Sequence, residues 1–157
     1  MSIVALADLR PQLLPGARLL GLDLGEKTIG LAISDTRLTV ATPFDVLNRG
    51  KFTADAAQIE AIASKQGVGG LIIGLPLNMD GSNGPSAQSA RAFARNLAVR
   101  SPLPIVFWDE RLSTAAVNRD MIAADATRKR RAAAVDKIAA AYILQGALDR
   151  LRNMAAS

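Results

Sequence analysis

Two short apolar runs, RLLGLDL at residues 18–24 and TIGLAIS at residues 28–34, stand three residues apart. Gly25, Glu26 and Lys27 between them have the composition of a tight turn, so the spacing predicts an antiparallel hairpin. VATPFDVL, residues 40–47, predicts a third strand. Pro43 places it at a sheet edge or an irregularity, because proline has no amide to give to a ladder. The period then changes. Phe52, Ala56, Ile59, Ile62 and Ala63 recur at helical spacing through KFTADAAQIEAIASKQ and stop at Gly67. GLIIGLP, residues 70–76, is apolar without alternation, the pattern of a parallel strand buried on both faces. A polar loop, LNMDGSNGPS, leads to a helix through SAQSARAFARNLAV and then to a strand, PIVFWDERL, at residues 104–112. Ser113 or Thr114 is placed to cap a following helix, and a last amphipathic helix is expected over residues 135–151, with Ile138, Tyr142, Leu144 and Leu148 among its apolar positions.

The order βββαβαβαα predicts an α/β domain whose later strands are joined by helical crossovers. A chain of 157 residues fits one such unit, here residues 18–152. Residues 1–17 read as an N-terminal extension, loose to about residue 16, and the last few residues are expected to be loose as well. The opening MSIVALADLR carries Asp8 and Arg10 where a signal peptide needs an unbroken apolar stretch, and no long charge-free run suits a membrane, so a cytoplasmic protein without membrane partners is expected.

Composition narrows the chemistry. The chain has neither cysteine nor histidine, which excludes thiolate catalysis, Cys/His zinc sites and imidazole acid-base work. Carboxylates, hydroxyls, lysine and arginine remain, and carboxylates favour hard cations such as Mg2+ or Mn2+. Arg128, Lys129, Arg130 and Arg131 supply most of a formal charge of +5 and read either as a solvated loop or as a grip on phosphates. Aromatic residues make up 4%, too few for the stacking surface of a single-strand binder, and Trp108 reads as core or subunit contact.

Acids occupy the ends of three separate elements. Asp23 closes the first strand between Gly21 and Gly25, which leave room for a ligand or another backbone; Asp109 and Glu110 close the last strand; Asp136 opens the last helix. Neighbouring strand residues point to opposite faces, so at most one of Asp109 and Glu110 can share a site with Asp23. Singly, each acid has an ordinary structural reading, Asp136 as a complement to the helix dipole. Together, convergent carboxylates are what a divalent cation and a substrate phosphate require. The glycine-rich loop, with Pro85 opening the next helix, is a further candidate for phosphate contact.

GLDLGEKTIGLAISD, IIGLPLNMDGSNGPSAQSARAFARNL, FWDERLSTAAV and VDKIAAAYILQGAL, in this order, resemble the YqgF family, also called RuvX. Its members are described as nucleases of the 5′ end of pre-16S rRNA or as Holliday junction resolvases. The resemblance covers residues 18–150 and implies an RNase H-like fold, a five-stranded mixed sheet with antiparallel first three strands flanked by helices. It implies a catalytic and metal-binding triad of Asp23, Glu110 and Asp136, with Glu110 preferred to Asp109, holding one or two Mg2+ or Mn2+ ions for phosphodiester hydrolysis. Lys27, Arg111, Arg128, Lys129, Arg130 and Arg131 would then contact nucleic acid. The chain departs from the family pattern at Asn118, where a glutamate is expected, and at Asn83, where an acid is common. The substrate implied is precursor rRNA or branched DNA, and the protein a monomer or homodimer. Competing readings are a non-catalytic ribosome-assembly module and a sugar-kinase or actin-like ATP site, the latter needing a second domain for which the chain has no room.

Overall fold

A computed structural model of the chain describes residues 3–112 and 128–156, apart from the side chains of residues 128–136, 155 and 156. Strands β1 (Arg18–Leu24) and β2 (Thr28–Ser34) form the expected hairpin. The Gly25 amide donates to the Thr28 carbonyl at 2.9 Å, and a Cβ on Gly25 would stand 3.1 Å from that carbonyl oxygen, so the tight closure suits glycine. Strand β3 (Ala41–Asn48) completes the antiparallel meander at the sheet edge. Its register with β2 shifts between Leu31 and Ala32, so Pro43 has both the edge position and the irregularity that its sequence context predicts.

Helix α1 (Phe52–Gln66) ends on Gly67, whose φ of 69° is the left-handed conformation glycine adopts without a Cβ penalty. It leads to β4 (Val68–Leu75), and α2 (Pro85–Arg100) leads to β5 (Ile105–Asp109). The sheet order is β3-β2-β1-β4-β5. β1 lies at its centre, antiparallel to β2 and parallel to β4, which is parallel to β5. This five-stranded mixed sheet is the one expected from the sequence.

The two faces are packed differently. One carries Leu20, Leu22, Ile29, Leu31, Leu71, Ile73 and Ile105 against α1 and α2. Burying such a side chain contributes roughly 1.5–3 kcal/mol, so this face is a large part of the stability. The other carries Leu19, Ile72, Val106 and Trp108 against Ala140, Ile143, Leu144, Ala147 and Leu148 of the long helix α3 (Arg128–Ala156). Among the described residues, no helix is long and apolar enough to cross a membrane.

Three boundaries differ from the sequence reading. The segment before β1 is packed rather than loose: Leu9 is fully buried, Ile3 bridges Ile105, and the Val4 amide donates to the Ile105 carbonyl at 2.8 Å. An apolar side chain with a place in the core outweighs the entropy that frees most chain ends. β5 stops at Asp109, because Glu110–Leu112 is a 3-10 turn in which the Arg111 amide returns to the Asp109 carboxylate at 3.0 Å. Helix α3 also begins earlier and ends later than residues 135–151. The helix expected after Ser113 or Thr114 lies outside the described residues.

Candidate active site

Parallel pairing brings the C-terminal ends of β1, β4 and β5 to one sheet edge. Asp23 is at that edge of β1 and is 9% exposed. It alternates with Leu19 and Gly21 on the α3 face, where a Cβ on Gly21 would stand 2.8 Å from Leu144 Cβ and 3.1 Å from the Ala140 carbonyl oxygen. The space beside Gly21 therefore admits helix α3 and is not left open for a ligand. This close approach seats the helix over the strand that bears Asp23.

Continuing the Leu22↔Ile73 pairing by one residue sets Asp23 beside Gly74 on the same face. Gly74 is paired in turn with Trp108 of β5. A Cβ on Gly74 would stand 3.1 Å from Glu110 Oε2, 3.3 Å from Glu110 Cδ and 2.6 Å from Ile143 Cδ1. The Glu110 carboxylate thus lies over the gap in β4 that glycine leaves, with Asp23 on the next strand. Gly74 was not singled out in the sequence, although a lone glycine inside a buried apolar strand is a known signal of close approach.

Asp109 is engaged elsewhere. Arg111 Nε donates to its Oδ1 at 3.0 Å and Oδ2 at 3.1 Å, and Arg111 Nη2 to Oδ2 at 2.7 Å. The hydrogen bonds from this guanidinium hold the Asp109 carboxyl below the usual carboxylate range. Arg111 Nη1 also donates to the Met79 carbonyl at 3.3 Å, so the residue ties the end of β5 to the loop after β4. Within that loop Asp80 accepts from the Ser82 hydroxyl at 2.6 Å and amide at 2.9 Å, and these bonds, the hydroxyl first, lower its pKa.

Lys27 is exposed in the β1–β2 turn. Its carbonyl accepts from the Arg49 amide at 2.8 Å, and Arg49 Nη1 donates to the Gly25 carbonyl at 2.6 Å. Arg49, unmarked in the sequence, clamps the turn that follows Asp23. The tetrad Arg128, Lys129, Arg130 and Arg131 opens α3, so Asp136 stands about two turns inside the helix rather than at its start, and the side chains of all five lie outside the described residues. Among the described residues no three acids, histidines or cysteines form a metal-binding group. The structure therefore brings Asp23 and Glu110 to one face and separates Asp109 from them.

The family model described as "RuvX: Holliday junction resolvase" matches residues 17–150. The chain belongs to the RuvX family. A RuvX relative from Paramagnetospirillum magneticum, named "Putative pre-16S rRNA nuclease", is 59% identical over 155 residues, covering 99% of this chain and 100% of its own. Another of that name from Roseobacter denitrificans is 61% identical over 142 residues, covering 88% and 87% of the two chains. Among solved structures, Thermus thermophilus RuvC in complex with a Holliday junction substrate superposes with a TM-score of 0.53 at 13% identity, over 87% of this chain and 96% of that one. Such a likeness shows a shared fold, and it agrees with the RNase H-like sheet expected from the RuvX resemblance.

Proposed function

We propose that the chain is a divalent-metal-dependent endonuclease that hydrolyses phosphodiester bonds, with the 5′ region of pre-16S rRNA as its substrate. The observation that carries this reading is the placement of Asp23 and the Glu110 carboxylate on one face of the sheet edge, over a position that Gly74 leaves without a side chain. Family membership and the name carried by the relatives support it.

The donor set suits Mg2+ or Mn2+: hard carboxylate oxygens, no histidine or cysteine anywhere in the chain, and a cradle that a Cβ would fill. Asp23 and Glu110 would hold the ion, with Asp136 as third ligand, four residues and thus about one helical turn before Ala140. Bound there, the ion supplies charge neutralisation at the scissile phosphate and a lowered pKa for the attacking water. The protein's own part is placement. Gly21 lets α3 approach β1, Gly74 leaves room for the acids, and Arg49 holds the turn after Asp23. Arg111 keeps Asp109 from competing for the cation. Lys27 and the tetrad Arg128, Lys129, Arg130 and Arg131 serve as contacts to the nucleic-acid backbone.

A cleavage assay with Mg2+ or Mn2+ tests this reading, using a labelled 5′-extended rRNA precursor fragment and a DNA four-way junction, with Asp23→Asn beside the unaltered chain. Metal-dependent cleavage of the RNA, abolished in the variant, is expected. Cleavage of the junction alone would move the substrate to branched DNA, as the family description has it. Binding without cleavage of either would replace the enzyme by an assembly module.

A further inference from the structure

The sheet edge has a second polar feature on the face opposite Asp23. Phe107 alternates with Trp108 and packs on the α2 side beside Leu75, Ala87 and Ala90. Arg91 of α2 lies over its ring, Cζ 5.2 Å from the centroid. Arg91 Nε donates to Asn83 Oδ1 at 2.8 Å. The ring occupies one face of the guanidinium and the Nε bond fixes its rotation. Both Nη groups are left without a hydrogen bond among the described residues.

Two observations indicate that this arginine is more than a structural tie. Its hydrogen-bond partner is a neutral amide, and among the described residues no ion pair cancels its charge, whereas Arg111 across the loop faces both Asp80 and Asp109. Helix α2 itself, PSAQSARAFARNLAVR, contains three arginines and no acid. A planar guanidinium, held in orientation with two terminal nitrogens available, matches the geometry of a phosphate. Its position, over Phe107 of the strand that ends at Asp109, is close to the candidate active site but on the other side of the sheet.

We propose that Arg91 binds a phosphodiester of the substrate, so that the nucleic-acid backbone crosses the C-terminal edge of the sheet and is held from both faces. The inference rests on the nuclease reading above and deepens it. Asn83 then has a specific part: it orients Arg91 as an acid would, without neutralising it.

Fluorescence anisotropy in the cleavage-dead Asp23→Asn background tests this, with single-stranded RNA and DNA of one sequence titrated over a series of salt concentrations. Arg91→Ala is expected to weaken binding and reduce the slope of log affinity against log salt by about 0.7, the value for one lost single-strand phosphate contact. Asn83→Asp should shift both in the same direction while its melting temperature stays at the background value, since a carboxylate accepts the same Nε bond. Arg91→Lys should retain most of the slope and lose affinity with the fork. Equal effects on RNA and DNA assign the contact to the shared phosphodiester backbone, and an effect on RNA alone assigns it to the RNA strand. Unchanged slopes in both Arg91→Ala and Asn83→Asp, with binding intact, overturn the Arg91 assignment and leave the nuclease reading standing. No binding by the background chain, with no cleavage by the native chain, overturns both.

Discussion

The two faces of the central sheet solve opposite problems. Against α1 and α2 the strands present Leu20, Leu22, Leu71 and Ile73, and the layers are held apart by large side chains. Against α3 they present Gly21 and Gly74, and the helix side chains come within van der Waals reach of the strand backbone. The first arrangement maximises apolar burial. The second sacrifices side chains on the central strands, so that carboxylates at the strand ends can share the space beneath one helix. The aliphatic layer and the candidate site thus lie on opposite sides of a single sheet.

The division can be tested by substitution. Leu22→Ala, on the aliphatic face, should cause the largest loss of stability, about 2–5 kcal/mol by urea denaturation, because it leaves a cavity in a close-packed layer. Gly21→Ala should cost about 1–3 kcal/mol, since the new Cβ meets Leu144 Cβ and the helix backbone at Ala140. Equal tolerance of alanine at Gly21 and at an exposed strand position would remove the close-approach argument. Gly74→Ala should separate the two roles: Ile143 Cδ1 is the end of a flexible side chain and can give way, whereas the Glu110 carboxylate is displaced. Roughly tenfold lower cleavage, about 1.4 kcal/mol in the barrier, is expected with a smaller loss of stability than at Gly21. Loss of stability without loss of activity would show that Glu110 needs no space over β4.

The smallest effect is expected far from the site, at Asp35 beyond β2. Hydrogen bonds from the Thr39 hydroxyl at 2.6 Å and from the Thr39 and Val40 amides hold its carboxyl at about 2 against an ordinary 3.8. Its folded pKa is depressed, so its contribution is fully present above about pH 4 and is lost as the pH falls towards 2. Asp35→Asn should therefore melt below the native chain near neutral pH, and the difference should shrink over that acid interval. A constant difference down to pH 2 would contradict this.

Much of this division was legible in the pattern of residues, because local rules and tertiary structure agree there. β1 and β2 have the limits read from their apolar runs, Gly67 stops α1, and Pro43 sits at an edge beside an irregularity. Leu9 and the end of β5 were less legible, since one is decided by a distant vacancy in the core and the other by a side chain folding back on its own strand. At the site, the spacing of GLDLG and WDERL pointed to Asp23 and to one of two acids, and alternation alone could not choose between them. In space they differ: Asp109 is engaged by Arg111, and the Glu110 carboxylate lies over Gly74. Arg49 and Arg91 carried no signal, because their significance depends on Gly25, Phe107 and Asn83, which are close only after folding.

Asp23 is on the middle strand of five, with partners on both sides. A central strand loses its ladder only when the whole sheet comes apart, whereas a surface loop opens on its own. Amide protons around Asp23 should therefore exchange with deuterium only through global unfolding, and those of residues 78–84 through local fluctuation. Asp23 is then held in place for as long as the protein is folded, and the loop between Arg111 and Arg91 is the part of the edge expected to adapt.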